Sequence, residues 1–347
     1  MRGGKAMAYK VRFTVSADVP ACAAMEPTRF GCQNERQQEL WAEQLRTLLG
    51  QGRALSVVAV DEADKPLAFG LSLFISEELR QYLLSSHNRT LLGGALQQRL
   101  NLRTVLEPRA ILRGHRGEGL NLLGFYGWRN DLSPDALAEV QGLLYQSFHY
   151  LHRGYHLKSF LKEVYGKQEE DLYRKLGMRV HKTPADYSPS HQHLEPYLVG
   201  VERDQTAFPM RIADMFVASS PSVLLTRNHC RTRRQEEVAQ LAYLLRLRDA
   251  EIAECLGISQ NTVYNYWHRM AKRLPSNDQT YSGRAGRREC LAYIAHHPEV
   301  IYPLRIHTLF YKKPELARKH PLPLGEGGSK ALVTNRYSHS AVVGEAS

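Results

Sequence analysis

Between residues 248 and 274 the chain runs RDAEIAECLGISQNTVYNYWHRMAKRL, and its second half gathers polar groups on one predicted helical face. Gln260, Asn261, Thr262, Tyr264, Asn265, His268, Arg269 and Lys272 are all hydrogen-bonding or cationic. Amide, phenol and imidazole groups pair with base edges, and guanidinium and ammonium groups pair with phosphates, so this face suits duplex DNA. Other candidates are thinner. Ser190-His191-Gln192-His193 offers metal-ligand types without a third ligand at a metal-site spacing, and reads as a polar loop. Gly114-His115-Arg116-Gly117-Glu118-Gly119 has the spacing of a phosphate loop but precedes a predicted strand, so it too reads as a loop. Phe125, Tyr126 and Trp128 are types that stack ligands, and are read as core. The sequence has no GxSxG, no Walker loop and no GxGxxG between a strand and a helix.

The polar face needs helices to hold it. Asp249 is a predicted N-cap, with Glu251 in the first turn. Ile252, Ala253 and Leu256 form one apolar stripe, and Gly257 stands where a left-handed cap is wanted. Ser259 caps a second helix, whose Val263, Trp267, Met270 and Leu274 repeat on the buried side. An earlier helix over 236–245, with Val238, Leu241, Leu244 and Leu245, completes a small core. Glu251-Ile252-Ala253, Leu256-Gly257-Ile258-Ser259 and Asn261-Thr262-Val263 resemble the LuxR-type helix-turn-helix of bacterial transcription regulators over about 45 residues. The loop before Asp249 is a residue longer than usual there, and Tyr264 stands where Lys is frequent. The resemblance implies that the second helix enters the major groove. Tyr264, Asn265 and His268 would then reach base edges, and Thr262, Tyr266, Arg269 and Lys272 would touch phosphates.

Residues 1–205 alternate strand and helix patterns. Strands are expected over 11–17, 54–60, 67–76, 120–128 and 157–164, and helices over 40–49, 77–84, 135–151 and 169–176, with 85–118 less regular. VRFTVSADVPACAAM, the VVAVDEADKPLAFGLSLFI hairpin and LKEVYGKQEEDLYRKLGMRV resemble the GNAT acetyltransferase fold over about 180 residues. That resemblance places Tyr173 where the family has a general acid, with Glu163 nearby as a possible base. The chain departs from the family in the loop that would cradle a coenzyme A pyrophosphate. Residues 128–135, WRNDLSPD, carry two acids and no glycine, so close approach of backbone to an anion is disfavoured. Tyr173 is therefore expected to be a packed tyrosine, and no catalytic or metal site is expected.

Composition frames these readings. The 347 residues are 43% hydrophobic and 23% charged, which excludes wholesale disorder, and no stretch reaches the ~20 apolar residues of a membrane helix. The first residues lack the apolar core of a secretory signal, and five scattered cysteines without a CxxC suit a reducing, cytoplasmic compartment. Of the net charge of +11, residues 224–320 hold 17 Lys and Arg against 9 Asp and Glu. The expectation is thus an α+β/α two-domain chain. A GNAT-like mixed α/β sensor or oligomerisation domain (1–205) and a linker (206–230) precede an all-α helix-turn-helix domain (231–275), a helical extension (276–319) and a disordered tail (320–347). The expected function is sequence-specific DNA binding as a homodimeric transcription regulator. RNA polymerase and a small-molecule effector are further expected partners. One alternative is an acetyltransferase with an appended DNA-binding module, the only reading that needs acetyl-CoA. The other is a sigma-like factor, which would need a helical promoter-melting domain upstream.

Overall fold

The computed structural model describes residues 9–25, 32, 34–99, 104–203, 232–274 and 286–324. Seven strands form one mixed sheet in the order β1-β2-β3-β4-β5-β7-β6. They are β1 (Lys10–Phe13), β2 (Ala54–Val60), β3 (Pro66–Ile75), β4 (Leu120–Trp128), β5 (Leu157–Tyr165), β6 (Arg179–Lys182) and β7 (Pro196–Glu202). Only β4 and β5 pair in parallel, joined across the sheet by α6 (Pro134–His152); all other neighbours are antiparallel. One face is covered by α1 (Val19–Ala24), α2 (Glu35–Gly50), α3 (Glu77–Leu84) and α4 (Leu92–Arg99), whose Val19, Trp41, Leu45, Leu83 and Leu96 pack on Val58, Phe69, Leu71 and Leu123. The opposite face carries α6, with Val140 and Leu144 against Val57.

The strands over 54–60 and 120–128 and the helix over 77–84 lie where expected, because turns and caps bracket them. Ser76, for instance, accepts the Leu79 N–H at 3.2 Å and starts α3. Three expectations need correction. The first strand ends at Phe13, because the Asp18 carboxylate takes the Val15 N–H at 2.8 Å and folds Ser16–Asp18 into a 3-10 turn. The region 85–118 holds α4 and also α5 (Pro108–Arg116), with Pro108 in the first turn and Gly117 at the end, so Gly114 and His115 are helical. Strand β6 follows α7 (Lys167–Lys175) and β7 follows the short α8 (Pro189–Gln192); Pro196 at the head of β7 disguised a central strand. A seven-stranded sheet in the first 202 residues is not the upstream helical domain that a sigma-like factor needs.

The C-terminal helices are α9 (Arg233–Leu244), α10 (Asp249–Leu256), α11 (Gln260–Ala271), α12 (Arg287–His296), α13 (Ile306–Lys312) and α14 (Pro314–Lys319). Between α10 and α11 the chain reverses at Gly257, whose φ of 65° is left-handed, and Ser259 then accepts the Thr262 N–H at 3.1 Å. Arg248, not Asp249, is the N-cap of α10. Asp249 is freed to accept the Trp267 indole N–H at 3.0 Å and the Arg287 guanidinium at 2.6 Å. These helices share one apolar core with the sheet, running from Val57 and Leu144 through Tyr155 and Phe310 to Val238 and Trp267. The expected linker, 206–230, lies outside the described residues. Of the expected tail, Leu322 is buried and donates its N–H to the Val11 carbonyl at 2.8 Å, along the open edge of β1; residues 325–347 lie outside the described residues. Phe310 packs on Phe13, with centroids 5.4 Å apart, so the apolar stretch 302–311 covers the sheet rather than α10 and α11.

The joint between the two parts is tight at Gly154, where a Cβ would lie 2.2 Å from the buried Tyr302 ring. Gly154→Ala is expected to cost about 1–3 kcal/mol by overpacking, seen as a lower urea midpoint. An unchanged midpoint would mean that the joint does not persist in solution.

Candidate nucleic-acid interface and the sheet cleft

Helix α11 divides its side chains cleanly. Val263, Trp267, Met270 and Ala271 are buried against α9, α10 and α12. Tyr264, Asn265, His268, Arg269 and Lys272 are exposed, Tyr264 by 63%, while Thr262 and Tyr266 are half-buried. Thr262 is partly used locally, its hydroxyl 2.8 Å from that of Ser259. The structure therefore puts six of the seven expected DNA-contacting residues on one short helix and Lys272 at its C-cap, five of the seven being exposed.

The surrounding charge is less free than the sequence suggests. Arg233 and Arg234 pair with Glu237 at 2.8 and 2.9 Å, Arg305 with Glu236 at 2.8 Å and Lys319 with Glu254 at 2.7 Å. Arg287 is spent on Asp249 and on the Leu247 carbonyl. Arg227, Arg231 and Arg284 lie outside the described residues. Arg269 and Lys272 are exposed and have no ion-pair partner among the described residues, so their charge faces outward beside the polar face.

The second candidate lies in the sheet. β4 and β5 keep parallel register from Leu120↔Leu157 to Gly124↔Lys162. Beyond that point β4 follows β3 as far as Trp128, and β5 follows β7 as far as Tyr165, so the two strands part. The opening is filled by the chain itself. Lys162 Nζ lies 3.8 Å from the centre of the Tyr126 ring and 4.3 Å from that of Tyr173, and donates to the Tyr173 oxygen. The Tyr126 hydroxyl donates to Glu169, which also accepts the Tyr165 N–H at 2.9 Å. Tyr126 stacks on Trp128 with centroids 4.8 Å apart. Burial, followed by the nearby Glu169 and Tyr145, pushes the Tyr173 phenol above its usual range.

Glu163 does not join Tyr173. Neighbouring strand residues point to opposite faces, and Glu163 lies on the α4 side. Both its oxygens accept the Leu92 N–H at 3.0 Å, and the Tyr165 hydroxyl donates to it at 2.6 Å. Burial lifts its pKa to about 7 against these bonds and the charge of Lys182. The expected acid–base neighbourhood is thus split by the sheet. After β4, Arg129 pairs with Asp131, Ser133 caps α6 by accepting the Ala136 N–H at 3.3 Å, and Pro134 has no N–H to offer. These residues do not fit a coenzyme A pyrophosphate, and the filled opening does not fit its thiol arm.

Sequence reasoning missed the Lys162–Tyr173 and Tyr126–Glu169 contacts. The available signal was a lysine on the same strand face as Phe160 and Val164. Among the described residues no group of His, Cys, Asp and Glu could hold a metal ion, and no helix is long and apolar enough to cross a membrane.

No protein-family model and no curated protein matches the chain. Among solved structures it is similar to a GCN5-related N-acetyltransferase from Kribbella flavida, with 16% identity over 56% of this chain and 98% of that one and a TM-score of 0.34. It is also similar to a GNAT superfamily phosphinothricin acetyltransferase from Sinorhizobium meliloti in complex with AcCoA (10% identity, 58% and 93% covered, TM-score 0.34). A third is the ribosomal-protein-S5-alanine acetyltransferase from Vibrio fischeri (12%, 57% and 95%, 0.32). The described residues form a mixed-sheet part followed by a helical region.

Proposed function

We propose that the chain is a sequence-specific DNA-binding transcription regulator whose α10 and α11 act as a LuxR-type helix-turn-helix and whose GNAT-like part is regulatory rather than catalytic. The observation that carries this reading is the exposed polar face of α11, with Arg269 and Lys272, which have no ion-pair partner among the described residues, beside Tyr264, Asn265 and His268. Set after the left-handed bend at Gly257 and the Ser259 cap, that face has the placement of a major-groove reader. Tyr264, Asn265 and His268 read bases, and Thr262, Tyr266, Arg269 and Lys272 hold phosphates. A homodimer would place two copies of α11 on adjacent half-sites, with an effector or RNA polymerase acting through the rest of the chain.

The test is substitution against DNA fragments selected from random sequence. Asn265→Ala is expected to lose about 1–3 kcal/mol of discrimination at one base pair. Lys272→Ala is expected to weaken binding on all sequences alike and to lower the salt slope by about 0.9. Wild-type behaviour from both variants would sink the assignment.

The parting of β4 and β5, with Tyr173 beside it, favours one rival, an acetyltransferase with an appended DNA-binding module. Calorimetry with acetyl-CoA separates the two readings: no heat is expected here, and micromolar binding would favour the enzyme.

A further inference from the structure

We propose that α5, in the sheet part of the chain, carries a second phosphate-binding surface that grips the duplex beside the bases read by α11. The inference rests on the DNA-binding reading above. On α5, Arg109, Arg113 and Arg116 stand at i, i+4 and i+7, which places them on one side, while Ile111 and His115 are buried on the other. Arg109 and Arg113 are exposed and have no ion-pair partner among the described residues. Of the acids at the helix ends, Glu107 acts on Arg53, and Glu118 lies in the turn after the helix. Two exposed guanidinium groups on one side of a nine-residue helix suit a partner with closely spaced negative charges.

Contacts join α5 to the helices around α11. Arg273, just past the end of α11, donates to Gln235 at 3.2 Å near the start of α9. The next residue, Glu236, is held by Arg305 at 2.8 Å and feels the charge of Arg116 from α5. His115 lies 3.2 Å from the Glu299 carbonyl and fixes α5 against the C-terminal helices. The basic end of α11 thus adjoins the start of α9, and α5 adjoins the 298–301 turn that packs on α9. A duplex carries about one negative charge per 1.7 Å of its axis, so DNA running past α11 offers phosphates to such a track.

The test uses the full chain with Arg109→Ala and Arg113→Ala combined, both on exposed positions. Two duplexes carry the selected site, one long and one trimmed to the base pairs that α11 protects. On the long duplex the double variant is expected to bind more weakly and to lower the slope of log affinity against log salt by about 1.8, for two lost phosphate contacts. Preference for the selected over a scrambled site should stay the same, as should affinity for the trimmed duplex. Arg109→Lys with Arg113→Lys should keep the wild-type slope. If the long duplex binds the double variant like wild type while Lys272→Ala is weakened, α5 faces another partner, such as an acidic protein, and the inference falls alone. If wild type does not prefer the selected site, the DNA-binding reading falls and this inference with it.

Discussion

Brought from pH 6.5 to about 4.5, the folded chain is expected to lose about 2–3 kcal/mol of unfolding free energy per pH unit. The cause is three histidines held neutral by burial. His115, His152 and His307 each have a pKa lowered to about 4, with loss of solvation the largest cause. Between pH 6.5 and 4 an unfolded imidazole binds a proton that the folded one does not, so stability is full above 6.5 and falls as the pH falls. Glu163 works the other way. Its pKa of about 7 means that the folded carboxyl keeps a proton which the unfolded chain releases above its ordinary value of 4.5. Within the window, unfolding takes up three protons and releases one, and each net proton is worth about 1.4 kcal/mol per pH unit. Below 4.5 the three histidines take up protons in the folded chain too and their share of the slope fades, while Glu77, held at about 2 despite its burial by Gln81, Lys158, Asn121 and Arg80, keeps stability falling.

The measurement is urea unfolding followed by tryptophan fluorescence across this range. Stability that is flat, or that rises toward acid, would contradict the burial of these histidines. Two of the three sit at the joint: His115 against the Glu299 carbonyl, and His307 on α13. His152 ends α6, its ring Nδ1 2.7 Å from the Phe148 carbonyl. Acid should therefore loosen the attachment of the C-terminal helices as it lowers overall stability, and His307→Gln should flatten the pH slope by about one proton.

What could be read from the sequence follows from how local each cause is. Gly257 and Ser259 declare their turn and cap within a few residues, so α10 and α11 were legible, and with them the split between Trp267 inside and Asn265 outside. The sheet hairpin was legible for the same reason. The contents of the β4–β5 opening were not, since Lys162, Tyr126, Tyr173 and Glu169 come from three elements whose meeting depends on where β4 and β5 part. The shared core was hidden for a related reason. Tyr302 and Phe310 stand in an apolar stretch beyond the helix-turn-helix, and only the chain's return to β1 and the end of α6 shows that they cover the sheet. Arg287 shows the limit of counting charge. In the sequence it adds to a basic cluster, but in the structure it is consumed by Asp249.

Arg12→Ala is expected to cost about 3–5 kcal/mol, the largest loss from any single substitution considered. Alternation along β1 would put Arg12 on a solvated face, yet it is 1% exposed, because both faces of the sheet are covered. Its guanidinium donates to Asp18 at 2.7 and 3.1 Å and to Asp64 at 2.7 and 3.0 Å. Burial works against this charge, and the two carboxylates more than offset it. Asp64 also accepts from Arg318 of α14 at 2.8 Å, so the guanidinium links β1, the β2–β3 turn and, through Asp64, the C-terminal helices. Removing it leaves Asp18, itself buried, as an uncompensated carboxylate, and that dominates the cost. The decisive comparison is Arg12→Met combined with Asp18→Leu, which removes both charges. It should recover part of the loss, short of wild type because the Asp18 bond to the Val15 N–H goes too. Urea midpoints for the three chains check the argument. A double variant no more stable than Arg12→Ala would mean that the guanidinium acts by packing its stem rather than by neutralising Asp18.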